Sequence, residues 1–513
     1  MNEERLSPQP EPRNTDVKTV VVGMLSGLQS AIIPALLIMF GSGGIGLFVA
    51  VPAFAGIILV TSLFSYVRWK RLTYTIGAAD IRVESGVLSR AARSVPYERI
   101  QDVSLEQKLI PRLLGLVAVK FETGAGGGED LSLSFLTEED GEELRQLVRE
   151  RREEDASTVP AGEGEEPSLS PTEEAEPLFT MGKRRLFTFG IFEFSLAAFA
   201  VLAGLFQYAD TFLGIEIWDF DLWQSVIEEQ GSALSALGPL AQVVSAIGGI
   251  AMLLLVGSLT GMVRVFTREW GFLLERTARG FRRRRGLLTR TDVVMPIHRV
   301  QGVKIGTRFI RYRFGWHSLS FVSLAQDMGA SSHVVAPFAK LHEIAPIAET
   351  AGFRLPDENA DWHRASDNYL LDSAFFDAIW FLFGAAAAFV ATSIFSPEWT
   401  MLATGLPLVA AGLSVIANVL AWKFKRHALD DVQIMATKGV LSPRTQIATR
   451  LKLHSVEIAQ GPIARLRGYA TLHLGQAGGT FSIPGVPLER AREVRRYVME
   501  TVAATDFSQL ESG

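Results

Sequence analysis

Two stretches near the start of the chain, residues 19–40 and 45–67, contain no charged side chain at all. Each is about as long as the roughly 20 residues a helix needs to cross a bilayer core. Only Gly41-Ser-Gly-Gly44 separates them, so they are expected to form a hairpin. A second pair runs over about residues 186–208 and 237–262, and a third over about 375–395 and 401–422. The 48% hydrophobic content and mean hydropathy of +0.22 agree with a chain that carries such runs. The expected fold class is a membrane protein with six transmembrane α-helices in three hairpins. A cleavable leader is not the expected reading of the first run, which is long for one and is followed at once by another. Glu193 and Asp377 are the acids near these spans. They are expected at the interface near helix ends, with a buried functional carboxylate as the alternative.

Basic residues fix the expected orientation through the positive-inside rule. Arg68, Lys70 and Arg71 follow the second run, Lys183, Arg184 and Arg185 precede the third, and Lys423, Lys425 and Arg426 follow the sixth. The opposite loop over residues 209–235 has no lysine or arginine but carries Asp210, Glu216, Asp219, Asp221, Glu228 and Glu229, interleaved with Trp218 and Trp223. An outer amphipathic segment or a site for an external cationic partner is expected there. Both termini and all large segments are expected on the cytoplasmic side of a bacterial plasma membrane.

Between and after the hairpins the chain repeats itself. GVLSRAARSVPYERIQDVSLEQKLIPRLLGL from Gly86 aligns without gaps with GLLTRTDVVMPIHRVQGVKIGTRFIRYRFGW from Gly286 and, more weakly, with GVLSPRTQIATRLKLHSVEIAQGPIARLRGY from Gly439. Tyr74, Ile76, Ile81 and Val83, then Val117, Val119 and Phe121, then Leu131, Leu133 and Phe135 alternate as strands do. Each copy ends in a helical stretch, in the third of which Ala491, Val494 and Val498 share a face. Gly115, Gly315 and Gly468 are expected in a turn that needs positive φ.

The expected organisation is an N-terminal tail (1–18), hairpin 1 (19–67), module 1 (68–152), a loose, acidic, disordered linker (153–182), hairpin 2 (183–263), module 2 (264–354), a short linker (355–373), hairpin 3 (374–422), module 3 (423–503) and a tail (504–513).

The run Gly86-Val-Leu-Ser-Arg, with Pro96, Arg99-Ile-Gln-Asp-Val103, Gln107 and Arg112-Leu-Leu-Gly115, resembles the bacterial pleckstrin-homology-like, membrane-flanked domain family. The whole chain resembles its YdbT-like members, which have three such domains. The resemblance covers all three copies, although the Arg-Ile-Gln core has become Lys452-Leu-His454 in the third. It implies a small β-sandwich or partly open barrel capped by a C-terminal helix in each module. It also implies a broad association with the envelope and with resistance to membrane-active peptides.

Fourteen lysines or arginines lie between Arg264 and His317, against Glu269, Glu275 and Asp292. Beside an anionic leaflet each basic residue near the surface is worth about 1 kcal/mol. Arg282, Arg283, Arg284 and Arg285 are therefore lipid-contact candidates, with topology signalling as the plainer reading and nucleic acid set aside because the module is membrane-tethered. Arg99, Gln101, Arg299 and Gln301 recur in two copies, as a ligand site or as a hydrogen-bond network that sets module geometry; on a strand, Arg99 and Gln101 would share one face.

His342-Glu343-Ile-Ala-Pro346 has proline where a zinc-protease helix needs its second histidine, and the Gly124–Gly128 run lacks the lysine of a phosphate loop. With no cysteine, disulfides and thiolate metal sites are excluded. No cofactor, metal or enzymatic activity is expected. The leading expectation is a scaffold whose modules bind anionic membrane lipids or a membrane or cytoplasmic protein partner. A lipid or peptide exporter is the alternative.

Overall fold

The computed structural model describes residues 12–41, 46–87, 89–123, 131–157, 176–195, 225, 238–278, 280–327, 330–357, 360–477 and 479–504. The chain divides into two compact units, residues 1–277 with 282–294, and residues 278–281 with 295–513.

In the first unit α1 (Lys18–Gly41) and α2 (Gly46–Arg71) pack as the expected hairpin. A Cβ at Gly23 or Gly27 would collide with Ser65 or Thr61, so these glycines, one turn apart, let the helices approach closely. The chain then forms β2 (Thr73–Ile76), β3 (Asp80–Ser85) and β4 (Ala91–Pro96), an antiparallel meander that β1 (Arg13–Asn14) extends by pairing with β2. A short turn over Tyr97–Arg99 carries the chain to β5 (Ile100–Gln107), helix α3 (Leu109–Leu113), β6 (Leu116–Thr123), β7 (Leu131–Thr137) and α4 (Glu138–Ser157). Ile81 and Val83 from one sheet, Val119, Phe121 and Leu133 from the other, and Leu144 and Val148 from α4 make one core, which is the helix-capped β-sandwich expected for this module. The alternation fails at Phe135, where φ is +70° and Leu136 enters the core in its place. A register shift between Val117 and Val119 on β6 accompanies the change.

The linker expected to be loose from residue 153 is helical to Ser157 and extended again from Glu176. There β8 (Glu176–Thr180) pairs with β9 (Leu273–Thr277) and buries Phe179 against Phe272. The residues between, 158–175, lie outside the described ones. Helix α5 (Lys183–Ile191) ends after nine residues, short of the continuous span expected over 186–208. Its continuation turns away at Phe192, with the Glu193 carbonyl against Gly261 and Ser195 N donating to Gly257 O at 3.0 Å, both on α6 (Gly238–Glu269). The rest of that run and the outer loop, Ser225 apart, lie outside the described residues.

The sheet of the first module does not stop at its own edge. Strands β10 (Gly280–Arg285) and β11 (Arg290–Pro296) belong to the second repeat, and β11 pairs antiparallel with β5, giving the order β7-β6-β5-β11-β10-β9-β8. The expectation of three modules strung on linkers is corrected on this point. The turn between strands four and five leaves a free edge on each sheet, and the repeats join edge to edge.

The second unit does the same. Strands β12 (Gly302–Gly306), β13 (His317–Asp327) and β14 (Ala330–Ala339) of repeat two continue into β18 (Arg444–Thr449), β17 (Gln433–Lys438), β16 (Arg426–Leu429) and β15 (His363–Arg364) of repeat three. Helices α7 (Phe309–Arg313) and α8 (Leu341–Thr350) complete repeat two, and α9 (Asp367–Phe395) and α10 (Thr400–Phe424) form the third hairpin. Strands β19 (Leu453–Ala459), β20 (Tyr469–Gln476) and β21 (Gly479–Pro487), with α11 (Pro462–Arg467) and α12 (Leu488–Ala504), close the chain. Ala491, Val494 and Val498 of α12 are buried on the sheet, as their shared face requires.

Helix α9 begins eight residues before the apolar run because Ser366 accepts a hydrogen bond from Asn368 N and caps it. Asp377 therefore lies inside the helix rather than at its start, where its Oδ2 accepts from Asn418 Nδ2 at 2.7 Å. Among the described residues four helices are long and apolar enough to cross a membrane, namely Val51–Arg71, Val243–Glu269, Asp367–Phe395 and Thr400–Phe424. Phe395, Met401 and Leu59 are among the large apolar side chains these helices leave exposed, as a lipid-facing surface does.

Each described hairpin is clamped at its base. The strand before it pairs with the strand after it, β1 with β2 and β15 with β16. The Trp69 indole donates to Thr15 O at 2.8 Å, and the equivalent Trp422 to Ala365 O at 2.7 Å.

Candidate anion-binding groove

Edge pairing of β12 with β18 brings together residues from two repeats. Ile305 faces Thr445 and Gly306 faces Arg444. Beside that seam opens a groove of about 510 Å³, within the usual size range of ligand sites. Lys304, Arg308, Arg311, Lys438 and Arg444 line it, with hydroxyls from Ser320, Thr445, Thr480 and Ser482, and no acidic side chain is among the described residues that do so. Burial holds the Lys304 ammonium below the usual lysine range, and the neighbouring Lys438 and Arg444 push the same way. Burial lowers Arg311 to about 10. Its guanidinium lies 5.8 Å from the centre of the Phe338 ring, on which Trp316 stacks at 4.1 Å. A second cation, Lys340 Nζ, sits 4.1 Å above the Trp316 ring. The rim is held by Thr307 Oγ1, which donates to Trp316 O at 2.7 Å, and by Ser442 Oγ, which donates to Thr307 O. Arg311 is buried and Lys304 half-buried, while Arg308, Lys438 and Arg444 are exposed around them. Like charges gathered in this way repel one another, and a bound anion relieves that repulsion.

The arginines singled out in the sequence sit differently. Arg282 on β10 makes a two-pronged pair with Asp292 on β11, with Nε 2.9 Å from Oδ1. Arg284 reaches both oxygens of Glu275 at 2.8 Å. Arg285, 6% exposed at its side chain, meets Glu269, 2% exposed, at 3.1 Å. Arg283 is buried. Three of the four are thus engaged by carboxylates, two of them in the same sheet and the third, Glu269, at the end of α6.

Arg99 and Arg299 end the short turns Tyr97–Arg99 and Ile297–Arg299 and are not on a strand, so the argument that placed Arg99 and Gln101 on one strand face does not hold. The prolines that open these turns, Pro96 and Pro296, set the bend. Arg99 is exposed and Arg299 buried. Gln301 donates to Arg299 O at 3.3 Å and to His298 O at 3.4 Å, so in the second repeat these residues knit one turn together. The Gln101 side chain lies outside the described residues. Lys452, which occupies the arginine position in the third repeat, donates to Val300 O and lies 5.5 Å from the Phe353 ring centre.

Gly86 is expected from the sequence to open a turn; the structure adds the positive φ shared by all three copies, and a second recurring feature that sequence reading missed. Gly86, Gly286 and Gly439 have φ of +119°, +112° and +98°, and a Cβ there would strike the carbonyl three residues on. The short helices also present apolar side chains to the outside: Leu109 and Leu113 on α3, Phe309 and Ile310 on α7, Ile463 and Leu466 on α11. In repeats one and three this helix sits at the foot of a hairpin. Lys18 Nζ donates to Leu114 O at 3.2 Å, and Asn368 Nδ2 to Arg467 O at 2.9 Å. The groove was hidden for another reason. Its cations are single residues scattered between Lys304 and Arg444, and only the strand pairing gathers them.

Apolar helices clamped to antiparallel β modules, with the strand pattern repeated along the chain, define a membrane protein built from PH-like repeats. The chain belongs to the bacterial PH domain family, whose model matches residues 28–152, 233–351 and 381–502. It is similar to the UPF0699 transmembrane protein YdbT of Bacillus subtilis (strain 168), with 26% identity over 275 residues, 50% of this chain and 51% of that one. The chain thus spans about half the length of the curated relative it matches.

Proposed function

We infer that this membrane protein acts without catalysis, as a scaffold that holds an anionic, phosphate-bearing lipid headgroup in the groove at the β12–β18 seam. The observation that carries the reading is the groove itself, with five cations and no acid among the described residues that line it. A headgroup phosphate fits such a set better than a carboxylate, because it offers more acceptor oxygens to several donors at once. The foot of the modules supports a lipid source. Arg308 precedes α7 and Arg311 lies within it, and its counterparts α3 and α11 stand beside the first turn of a membrane helix with leucines exposed. In this reading the apolar residues of the short helices dip into the interface while the groove takes the headgroup. The leaflet concerned is the inner one, on the side to which the basic residues assign the modules.

The test is a titration of the full chain in neutral-lipid nanodiscs with dioctanoyl phosphatidylglycerol, dioctanoyl phosphatidylcholine and glycerol phosphate. Phosphatidylglycerol is expected to bind with a preference that fades as salt is raised. Equal affinity for the neutral lipid would sink the proposal. Tight binding of glycerol phosphate alone would move it from a lipid to a free phosphate ligand.

A further inference from the structure

Strand four of one repeat pairs with strand five of the repeat before it, and it does so twice in one register. In the first unit Thr291 faces Glu106 and Asp292 faces Leu105. In the second, Arg444 faces Gly306 and Thr445 faces Ile305. Gly86, Gly286 and Gly439 begin the three copies, so equivalent positions lie 200 and 353 residues from those of the first. On that scale Thr291 and Arg444 both stand where the first copy has Ala91, and Asp292 and Thr445 where it has Ala92. Their partners match as well, Glu106 with Gly306 and Leu105 with Ile305. A contact rebuilt with no slip from largely different side chains is a property of the module's edges.

Three copies own three such pairs of edges, and two pairs are used. The strand-four edge of the first copy, β4, ends its sheet, and so does the strand-five edge of the third copy, β19. Both are more open than their counterparts. Arg93 and Ser94 are exposed, whereas Val293, Val294 and Ile447 at the matching places are buried. Ile458 is half-buried, whereas its counterparts Leu105 and Ile305 are buried. Exposed strand edges are templates for further pairing unless something blunts them. Carried onto these two edges, the established register sets Ala92 opposite Ile458 and Arg93 opposite Glu457. That places unlike charges face to face, the favourable arrangement for a cross-strand pair.

We propose that β4 of one chain pairs antiparallel with β19 of a second copy, Arg93 facing Glu457, so that chains associate head to tail in the plane of the membrane. The two edges differ, so the contact is heterologous, and repetition gives a ring or a row rather than a two-fold dimer. The membrane helps the edges meet, because the Trp69 and Trp422 clamps fix modules one and three to the foot of their hairpins in the same way.

The absence of cysteine makes the test clean. Chains carrying Ala92→Cys and chains carrying Ile458→Cys are co-expressed, kept in native membranes and oxidised. A disulfide-linked dimer is expected from the mixture and not from either variant alone. Ala92→Cys with Glu457→Cys, slipped by one residue, turns the thiols to opposite faces and is expected to cross-link far less. Arg93→Glu is expected to reduce the mixture to the slipped level, and adding Glu457→Arg on the partner strand to restore it. Glu106→Cys with Thr291→Cys in one chain reports that the established seam is intact. The proposal is overturned if that control closes while Ala92→Cys and Ile458→Cys fail to join. It is equally overturned if both cysteines placed in one chain give only a monomeric, internally closed species.

Discussion

At the β5–β11 seam the arginines of β10 are answered by carboxylates, Arg282 by Asp292, Arg284 by Glu275 and Arg285 by Glu269. At the β12–β18 seam Lys304, Lys438 and Arg444 line a groove with no acid among its described residues. The backbone register is the same in both places, so the difference lies in the side chains alone. Arg285 and Lys438 occupy equivalent positions, but the residue equivalent to Glu269 is Trp422, which points its indole at a backbone carbonyl instead. One exchange of glutamate for tryptophan therefore removes the counter-charge and leaves a cation for something else to meet. The contrast separates arginines that hold a sheet together from cations available to a ligand. A count of basic residues along the chain cannot make that separation.

The largest expected effect tests the closed seam. Arg285→Leu leaves buried Glu269 to Arg268, 2.8 Å away and half exposed, and should cost about 3 to 5 kcal/mol. Lys438→Leu, at the matching position, should change stability by less than about 0.5 kcal/mol. Thermal unfolding in detergent reads both, and equal losses would break the comparison.

Acid sharpens it next. Burial, with His363 and Arg490 nearby, lowers His427 to about 4, while Asp361 pulls weakly the other way. A histidine lowered from about 6.5 binds its proton first in the unfolded chain, so its contribution is complete above about pH 6.5 and is lost as pH falls toward 4. The loss approaches roughly 3 kcal/mol, at about 1.4 kcal/mol per unit of displacement. The first repeat has Tyr74 at this position and the second Leu274, and neither gains a charge in that range. Unfolding followed from pH 7 to pH 4 should show a steep fall that His427→Gln flattens.

Backbone positions should behave alike where charges do not. Gly115 and Gly468 have φ of +71° and +73° and no neighbour within 4 Å of an added Cβ, so alanine at either should cost about 1 to 2 kcal/mol. Unequal losses would show that the turn is not the shared element the repeat implies. The smallest effect has the opposite sign. Lys304→Met removes a cation pressed by Lys438 and Arg444, and should leave stability unchanged or raise it by up to about 0.5 kcal/mol while weakening anion binding.

Much of this architecture was legible in the sequence, because long charge-free runs and a gapless repeat leave few alternatives. Local patterns failed where partners decide. Strands β1, β8 and β15 are short segments of tails and linkers with no strand alternation to mark them, and they are strands because β2, β9 and β16 offer them an edge. The first turns of α9, Asp367-Asn-Tyr-Leu-Leu-Asp372, are polar enough to escape a hydropathy reading, and a cap at Ser366 starts the helix there. The Arg282–Arg285 run stood out because it is contiguous, yet contiguity on a strand sends alternate residues to opposite faces. The groove's cations lie up to 140 residues apart, from Lys304 to Arg444, and a gapless alignment of repeats does not reveal which edges touch.

The most direct measurement compares the two seams in one assay, the affinity of the full chain in neutral nanodiscs for dioctanoyl phosphatidylglycerol. Lys304→Gln with Arg444→Gln should weaken binding by roughly thirtyfold, at about 1 kcal/mol for each charge removed. Arg282→Gln with Arg284→Gln, which removes as many charges from the closed seam, should leave the affinity of the folded protein within about twofold. Equal losses in the two variants, or a loss only in the second, would contradict the assignment of the ligand to the β12–β18 groove.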